Sequence, residues 1–211
     1  MTTFPSGALL KGEVHPDTEA VAVLLHGASV GSSGSTSWYT PAPMRMQLFA
    51  PAIRTRSRGR IAVLRLRHPD RDFRSVFKGA LGDTAALLSH VQRIAPRARV
   101  GLVGHSNGGR VALKLSSDSR VSAVAALAPW IASWDRFTPR PGAPVLLMHG
   151  ALDTITEPAK TEELATRLRA RGCTVDSEIV AAENHYLVAR ASYWHRRVGS
   201  FLAEHLLDGA G

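Results

Sequence analysis

Short runs of apolar residues alternate along this chain with longer stretches of mixed polarity. Val21–Leu25, Ile61–Leu66, Val100–Val103, Val121–Leu127, Val145–Met148 and Val175–Val180 are each four to seven residues long and rich in Val, Ile and Leu. Several are apolar on consecutive positions, which suits strands covered on both faces, as in a parallel sheet. Ala8–Val14 adds a candidate antiparallel edge strand. Between the runs lie helical stretches at Met44–Arg58, Gly82–Ile94, Asn107–Ser116, Glu157–Arg171 and Ser192–Leu207. Pro51 interrupts the first and Gly59 closes it, while Pro96 ends the second. Glu157–Arg171 starts with acids and Pro158 and ends with arginines and Gly172, in agreement with the helix dipole. Alternation on this scale predicts an α/β fold: an open, mostly parallel, doubly wound sheet with helices on both faces.

The 211 residues are read as a single domain spanning 1–211. Composition fits that reading, with 45% hydrophobic and 20% charged residues. No apolar run is long enough to cross a bilayer, and the N-terminal residues lack a basic start followed by an apolar stretch. The lone Cys173 makes neither an internal disulfide nor a thiolate metal site. A cytoplasmic location is the expectation. The net charge of +9 changes the picture locally, because Arg45–Arg74 holds nine arginines and two aspartates. Such a stretch suits an anionic partner, but no aromatic-interleaved recognition motif accompanies it, so nucleic acid is not the expected ligand.

In a doubly wound sheet the ligand site lies beyond the carboxyl ends of the strands. After Val100–Val103 comes Gly104-His105-Ser106-Asn107-Gly108-Gly109, a G-x-S-x-G between a predicted strand and a predicted helix. A serine on so sharp a turn needs small residues two before and two after it, and Gly104 and Gly108 meet that demand. A serine hydroxyl needs a base and an acid that orients the base. Asp153 follows Val145–Met148, and His185 follows Val175–Val180. Asp135, after the preceding strand, is the alternative acid.

The elbow, the acid and the histidine stand in the order Ser106, Asp153, His185, and on these residues the chain resembles the α/β-hydrolase superfamily. It is similar to small capless members of the dienelactone-hydrolase type, which typically carry cysteine where this chain has Ser106. The resemblance implies a serine hydrolase cleaving small carboxylic esters, thioesters or lactones through an acyl-enzyme. Acyl transfer by the same residues, and a non-catalytic binding protein on a hydrolase scaffold, are the alternatives. It also implies an oxyanion hole from the backbone N–H of Asn107 and of Ala28, which follows His26-Gly27.

Glycine-rich Gly27–Ser37 lacks the lysine of a phosphate loop, and no His-Glu-x-x-His pattern is present, so neither cofactor nor metal is expected. Pro129–Ala143 is too short for a helical lid but carries Trp130, Ile131, Trp134 and Phe137, with Trp130 and Trp134 candidate walls of a substrate pocket. The apolar pattern of the second run gives way to Arg65, Arg67, His68 and then Arg71 and Arg74 toward the same sheet edge, with Arg71 the candidate contact for a carboxylate. Asp70 and Asp72 among them are placed to neutralise these charges.

Overall fold

A computed structural model describes residues 4–28, 34–70 and 72–207. Seven strands form one sheet: β1 (Leu9–Lys11), β2 (Ala20–Leu25), β3 (Ile61–Arg67), β4 (Arg99–His105), β5 (Val121–Leu127), β6 (Val145–Gly150) and β7 (Val175–Val180). Their order is β1-β3-β2-β4-β5-β6-β7, parallel throughout except for β1, which runs antiparallel to β3. The expected doubly wound sheet is therefore present, and so is its antiparallel edge, shortened to three residues.

Among the described residues six α-helices cover it: α1 (Pro41–Gln47), α2 (Phe49–Arg56), α3 (Phe73–Ile94), α4 (Asn107–Lys114), α5 (Pro158–Arg169) and α6 (Ala191–Leu206). Side-chain alternation along β2 divides the core into two. Val21, Val23 and Leu25 pack with Leu87 and Leu88 of α3, Val111 of α4 and Leu164 of α5. Ala20, Ala22 and Leu24 face the other way, toward Met46 of α1, Phe49 and Ile53 of α2 and Phe201 of α6. Both faces being covered explains why the strands are apolar at consecutive positions. The exception is β7, an edge strand whose Asp176 and Glu178 pair with Arg197 and Tyr193 of α6.

Two helices differ from the pattern read in the sequence. The stretch Met44–Arg58 is two helices that meet at Leu48. Pro51 has no N–H to give the carbonyl of Gln47, and its ring clashes with that carbonyl in a continuous helix, so the chain restarts at Phe49. Helix α3 begins at Phe73 rather than Gly82. Its early glycine, Gly79, is there for contact: a Cβ would come within 2.9 Å of Ser6 in the N-terminal segment lying against it. Asp83 of the same helix accepts the Ser6 N–H at 3.0 Å and its hydroxyl.

Chain order reverses at β2. The connection leaving β2 leads to α1 on one face, and that leaving β4 leads to α4 on the other. The crevice between the carboxyl ends of β2 and β4 is thus the switch point of the sheet.

Helices α2 and α6 approach closely at Gly199, where a Cβ would lie 3.0 Å from the carbonyl oxygen of Ala52. Gly199→Val forces the two apart, and the expected loss is about 1–3 kcal/mol. Urea unfolding measures it, and an unchanged midpoint would contradict this contact.

Candidate active site

Ser106 stands between β4 and α4 with φ +55° and ψ −117°, a strained conformation for a residue with a side chain. The surroundings enforce it. A Cβ on Gly104 would overlap the carbonyl of Gly108, and a Cβ on Gly108 would overlap the carbonyl of Leu25 at the end of β2. Backbones touch where side chains would otherwise be, and the Ser106 N–H is held by the Leu127 carbonyl at 2.9 Å. The Ser106 carbonyl accepts from Arg110 N–H at 3.1 Å and Trp130 N–H at 3.2 Å. Asn107 is the first residue of α4, so its N–H has no partner within the helix.

Asp153 lies three residues past β6 and is buried. Its Oδ2 accepts from His185 Nδ1 at 2.7 Å, His149 Nε2 at 3.0 Å and the Thr156 hydroxyl at 2.7 Å. Its Oδ1 accepts from the N–H groups of Ile155 at 2.8 Å and Thr156 at 2.9 Å. Burial alone would raise the pKa of this carboxyl. Hydrogen bonds from His149, His185 and Thr156 outweigh it and hold the group far below the ordinary carboxylate range. Asp153 is therefore a permanent anion with its lone pairs spoken for.

The structure thus pairs His185 with Asp153. Asp135 binds Arg110 Nε at 2.8 Å, Lys114 Nζ at 3.0 Å and the Ala132 N–H at 3.0 Å.

His185 is carried on a loop organised by Glu183, whose carboxylate is fully buried. It accepts the N–H groups of Asn184 at 3.0 Å, Ala189 at 3.3 Å and Arg190 at 2.7 Å, and the indole N–H of Trp194 at 3.2 Å. The loops after β6 and β7 run backbone to backbone, with Leu152 N–H on the Glu183 carbonyl at 2.9 Å. Gly150 permits this, because a Cβ there would overlap that carbonyl. With Nδ1 committed to Asp153, His185 keeps Nε2 as its free lone pair. His105 packs on the ring at a 4.8 Å centroid separation and donates from Nε2 to the His185 carbonyl at 2.8 Å.

Ser106 and His185 line one cavity of about 120 Å³ with Ala28, Arg45 and Tyr186. His26 Nδ1 donates to the Gly27 carbonyl at 2.7 Å, and its Nε2 accepts the His68 N–H at 3.1 Å. In a trans peptide the C=O and the next N–H point opposite ways, so holding the Gly27 oxygen also fixes the direction of the Ala28 N–H. His68 in turn bonds Asp83 at 3.2 Å.

Other expectations need correction. Trp130 and Trp134 are not among the described cavity walls. The Arg110 guanidinium, held by Asp135, draws the Trp130 ring to 4.5 Å, and Trp134 stacks edge-on to Trp130 and is exposed. Arg65 binds Gln47 at 2.9 Å and Arg67 binds the Thr36 hydroxyl at 3.0 Å, and neither lines the cavity. Arg71 lies outside the described residues, and of Arg74 only the backbone is described.

From the sequence, His149 is expected only to pack behind the site, and Thr156, Glu183, Arg45 and Tyr186 are not singled out. Thr156 had a signal: Asp-x-x-Thr lets an aspartate accept N–H groups two and three residues on. Glu183, Arg45 and Tyr186 carried none. Among the described residues no group of three or more His, Cys, Asp or Glu is placed to hold a metal ion, and no helix is long and apolar enough to cross a membrane.

Comparison with known proteins follows the same lines. Residues 127–209 match the prolyl oligopeptidase family. No curated protein matches the chain. Among solved structures, it is similar to an α/β serine hydrolase without a lid from Xanthomonas campestris, with a TM-score of 0.73 and 19% identity over 98% of this chain and 93% of that one. It is also similar to Est1E of Butyrivibrio proteoclasticus, solved with ferulic acid bound (TM-score 0.70, 14% identity, 97% and 98% covered). A third is an esterase of Pyrococcus furiosus (TM-score 0.69, 16% identity, 97% and 91% covered).

Two buried imidazoles set the acid limit of this site. Burial, helped by neighbouring positive charge, lowers His26 to about 3 and His105 well below the usual histidine value. The unfolded chain protonates both below about pH 6.5, whereas the folded chain does not. Stability therefore falls as pH drops from about 6.5 to 4.5, by up to about 1.4 kcal/mol per pH unit for each ring. Asp153, depressed from about 3.9, adds its own loss only below about pH 4. His105→Asn is expected to flatten the slope in urea unfolding between pH 6.5 and 4.5. An unaltered slope would mean that His105 takes up its proton while folded.

Proposed function

We propose that this chain, a capless member of the α/β-hydrolase superfamily by its fold, is a serine hydrolase of small carboxylic esters, thioesters or lactones. The observation that carries this reading is one cavity bordered both by Ser106 on its strained turn and by His185, whose Nδ1 is 2.7 Å from a buried, permanently ionised Asp153. The esterase neighbours and the prolyl oligopeptidase match support it.

In this mechanism Ser106 Oγ attacks the carbonyl carbon of the substrate while its proton passes to His185 Nε2. Asp153 holds the ring in the Nδ1–H form and stabilises the imidazolium. The oxyanion that forms is met by the N–H groups of Asn107 and Ala28, which are neutral donors fixed before the reaction begins. The tetrahedral carbon expels its alcohol or thiol, which takes the proton from His185, leaving an acyl ester on Ser106. Water then attacks that ester, giving a proton to His185. His185 returns the proton to Ser106 Oγ as the carboxylic acid departs.

The cavity suits this chemistry on a small scale. A volume of about 120 Å³ holds a short acyl group. On 4-nitrophenyl esters, acetate and butyrate are expected to outrun decanoate in kcat/KM. The reverse order would contradict a small acyl site.

The residues themselves provide the sharper test. Ser106→Ala is expected to lose ~10⁴–10⁶ in kcat and all labelling by a fluorophosphonate. His185→Ala should lose about as much, because nucleophile and base act as a unit. Asp153→Asn should reduce kcat by less. Asp135→Asn should lower the unfolding midpoint, since it breaks the Arg110 pair, while leaving kcat within about threefold. Wild-type turnover by Ser106→Ala would sink the reading, and an inverted ranking of the two aspartates would move the acid to the loop after β5.

A further inference from the structure

Arg45 is the one permanently charged side chain among the described walls of the Ser106 cavity, and no carboxylate joins it there. It comes from α1, far in sequence from Ser106 and His185. Its Nε donates to the Tyr186 carbonyl at 2.7 Å, and the guanidinium lies 5.2 Å from the centre of the Tyr186 ring. Those two contacts fix the plane of the group. They use one donor of five, and the described residues offer no hydrogen-bond acceptor to the two terminal nitrogens and no ion-pair partner. The residues outside the described set hold no glutamate and a single aspartate, Asp208.

Arg110 is neutralised by Asp135, Arg120 by Asp118, Arg60 by Glu19 and Arg197 by Asp176. Arg65, Arg67, Arg140 and Arg169 bond neutral groups, as Arg45 does, but only Arg45 lines the described cavity of Ser106. Arg45 is partly withdrawn from water, and burial lowers its pKa, with Tyr186 opposing. Its charge also disfavours protonation of His105, beside Ser106. A guanidinium held by Tyr186 at the wall of a small cavity, with its terminal nitrogens facing no carboxylate, is placed to meet an anion there. A carboxylate matches the planar fork.

We infer that Arg45 is a substrate-recognition residue, and that the preferred substrates are small esters carrying one carboxylate, which lies against the terminal nitrogens of Arg45 while Ser106 addresses the ester carbonyl. This rests on the hydrolase reading above and narrows it. Charge selection is thereby assigned to α1, whose Arg45 shares the cavity with Ser106.

The test compares monomethyl glutarate with methyl pentanoate, and 4-acetoxybenzoate with phenyl acetate, so that the charge sits on the acyl or on the leaving side. At least one anionic member is expected to exceed its neutral partner about tenfold or more in kcat/KM. Arg45→Gln should collapse that ratio toward one, and Arg45→Lys, which keeps the charge but not the fork, should leave an intermediate value. Arg54→Gln, on α2 and outside the cavity, should preserve it. A ratio near one in the parent, or an equal fall in Arg54→Gln, would overturn the inference, the latter by showing a general field instead of a built contact.

A binding arm separates this from the activity. Calorimetry on Ser106→Ala should show monomethyl glutarate binding about tenfold more tightly than methyl pentanoate, with the difference lost when Arg45→Gln is added. That preference without turnover in the parent would sink the hydrolase reading and keep this one. Turnover of charged and neutral esters with equal efficiency would do the opposite.

Discussion

Everything at this site depends on a place where backbone must touch backbone. The carbonyls of Gly108 and Leu25 occupy the space that side chains at positions 104 and 108 would need. The turn between β4 and α4 can be this sharp only because both residues are glycine, and only a turn this sharp lifts Ser106 into a conformation with positive φ at the edge of the sheet. The strain is local and the restraint is global. Ser106 is held by Leu127 at the end of β5, while its own carbonyl holds Trp130 in the loop that follows. Three neighbouring connections therefore converge on one residue, and the topological reversal at β2 supplies the crevice they border.

Around Asp153 the constraint is electrical. A buried carboxylate is costly unless each oxygen has donors. Here two imidazoles, a hydroxyl and two backbone N–H groups provide them. The set is assembled from residues within a short stretch after β6 together with His149 at the end of that strand and His185 from the next loop. The same hydrogen bonds that make the anion tolerable also fix the ring of His185, so stability and orientation come from one arrangement.

Much of this was legible in the sequence for physical reasons. Strands buried on both faces must be apolar in runs, and a G-x-S-x-G turn must sit between a strand and a helix. What was not legible depended on neighbours distant in the chain. The sequence pattern starts α3 at Gly82, whereas the helix begins at Phe73 and sets Gly79 against Ser6. Trp130 reads as pocket lining until Arg110, braced by Asp135, is found beneath the ring. Arg45 is one of nine arginines in a basic stretch, and nothing in its flanks marks it out. Only the break at Leu48, imposed by Pro51, and the packing of α1 beside β2 bring it to the cavity. His149 and Thr156 belong to the middle case: their proximity in sequence to Asp153 was visible, but their convergence on one oxygen was not.

The four donors gathered by Glu183 tie the site to the last helix. Two of them, the Arg190 N–H and the Trp194 indole, belong to the start of α6, which docks against α2. The turn that presents Ser106 is made by β4, α4 and the end of β2. With α6 undocked the loop of His185 therefore loses two of its four donors, and β4, which packs on Leu202 and Leu206 at Gly101, loses its cover. The last helix of the chain is thus a common support for Ser106 and His185, and local opening there loosens both.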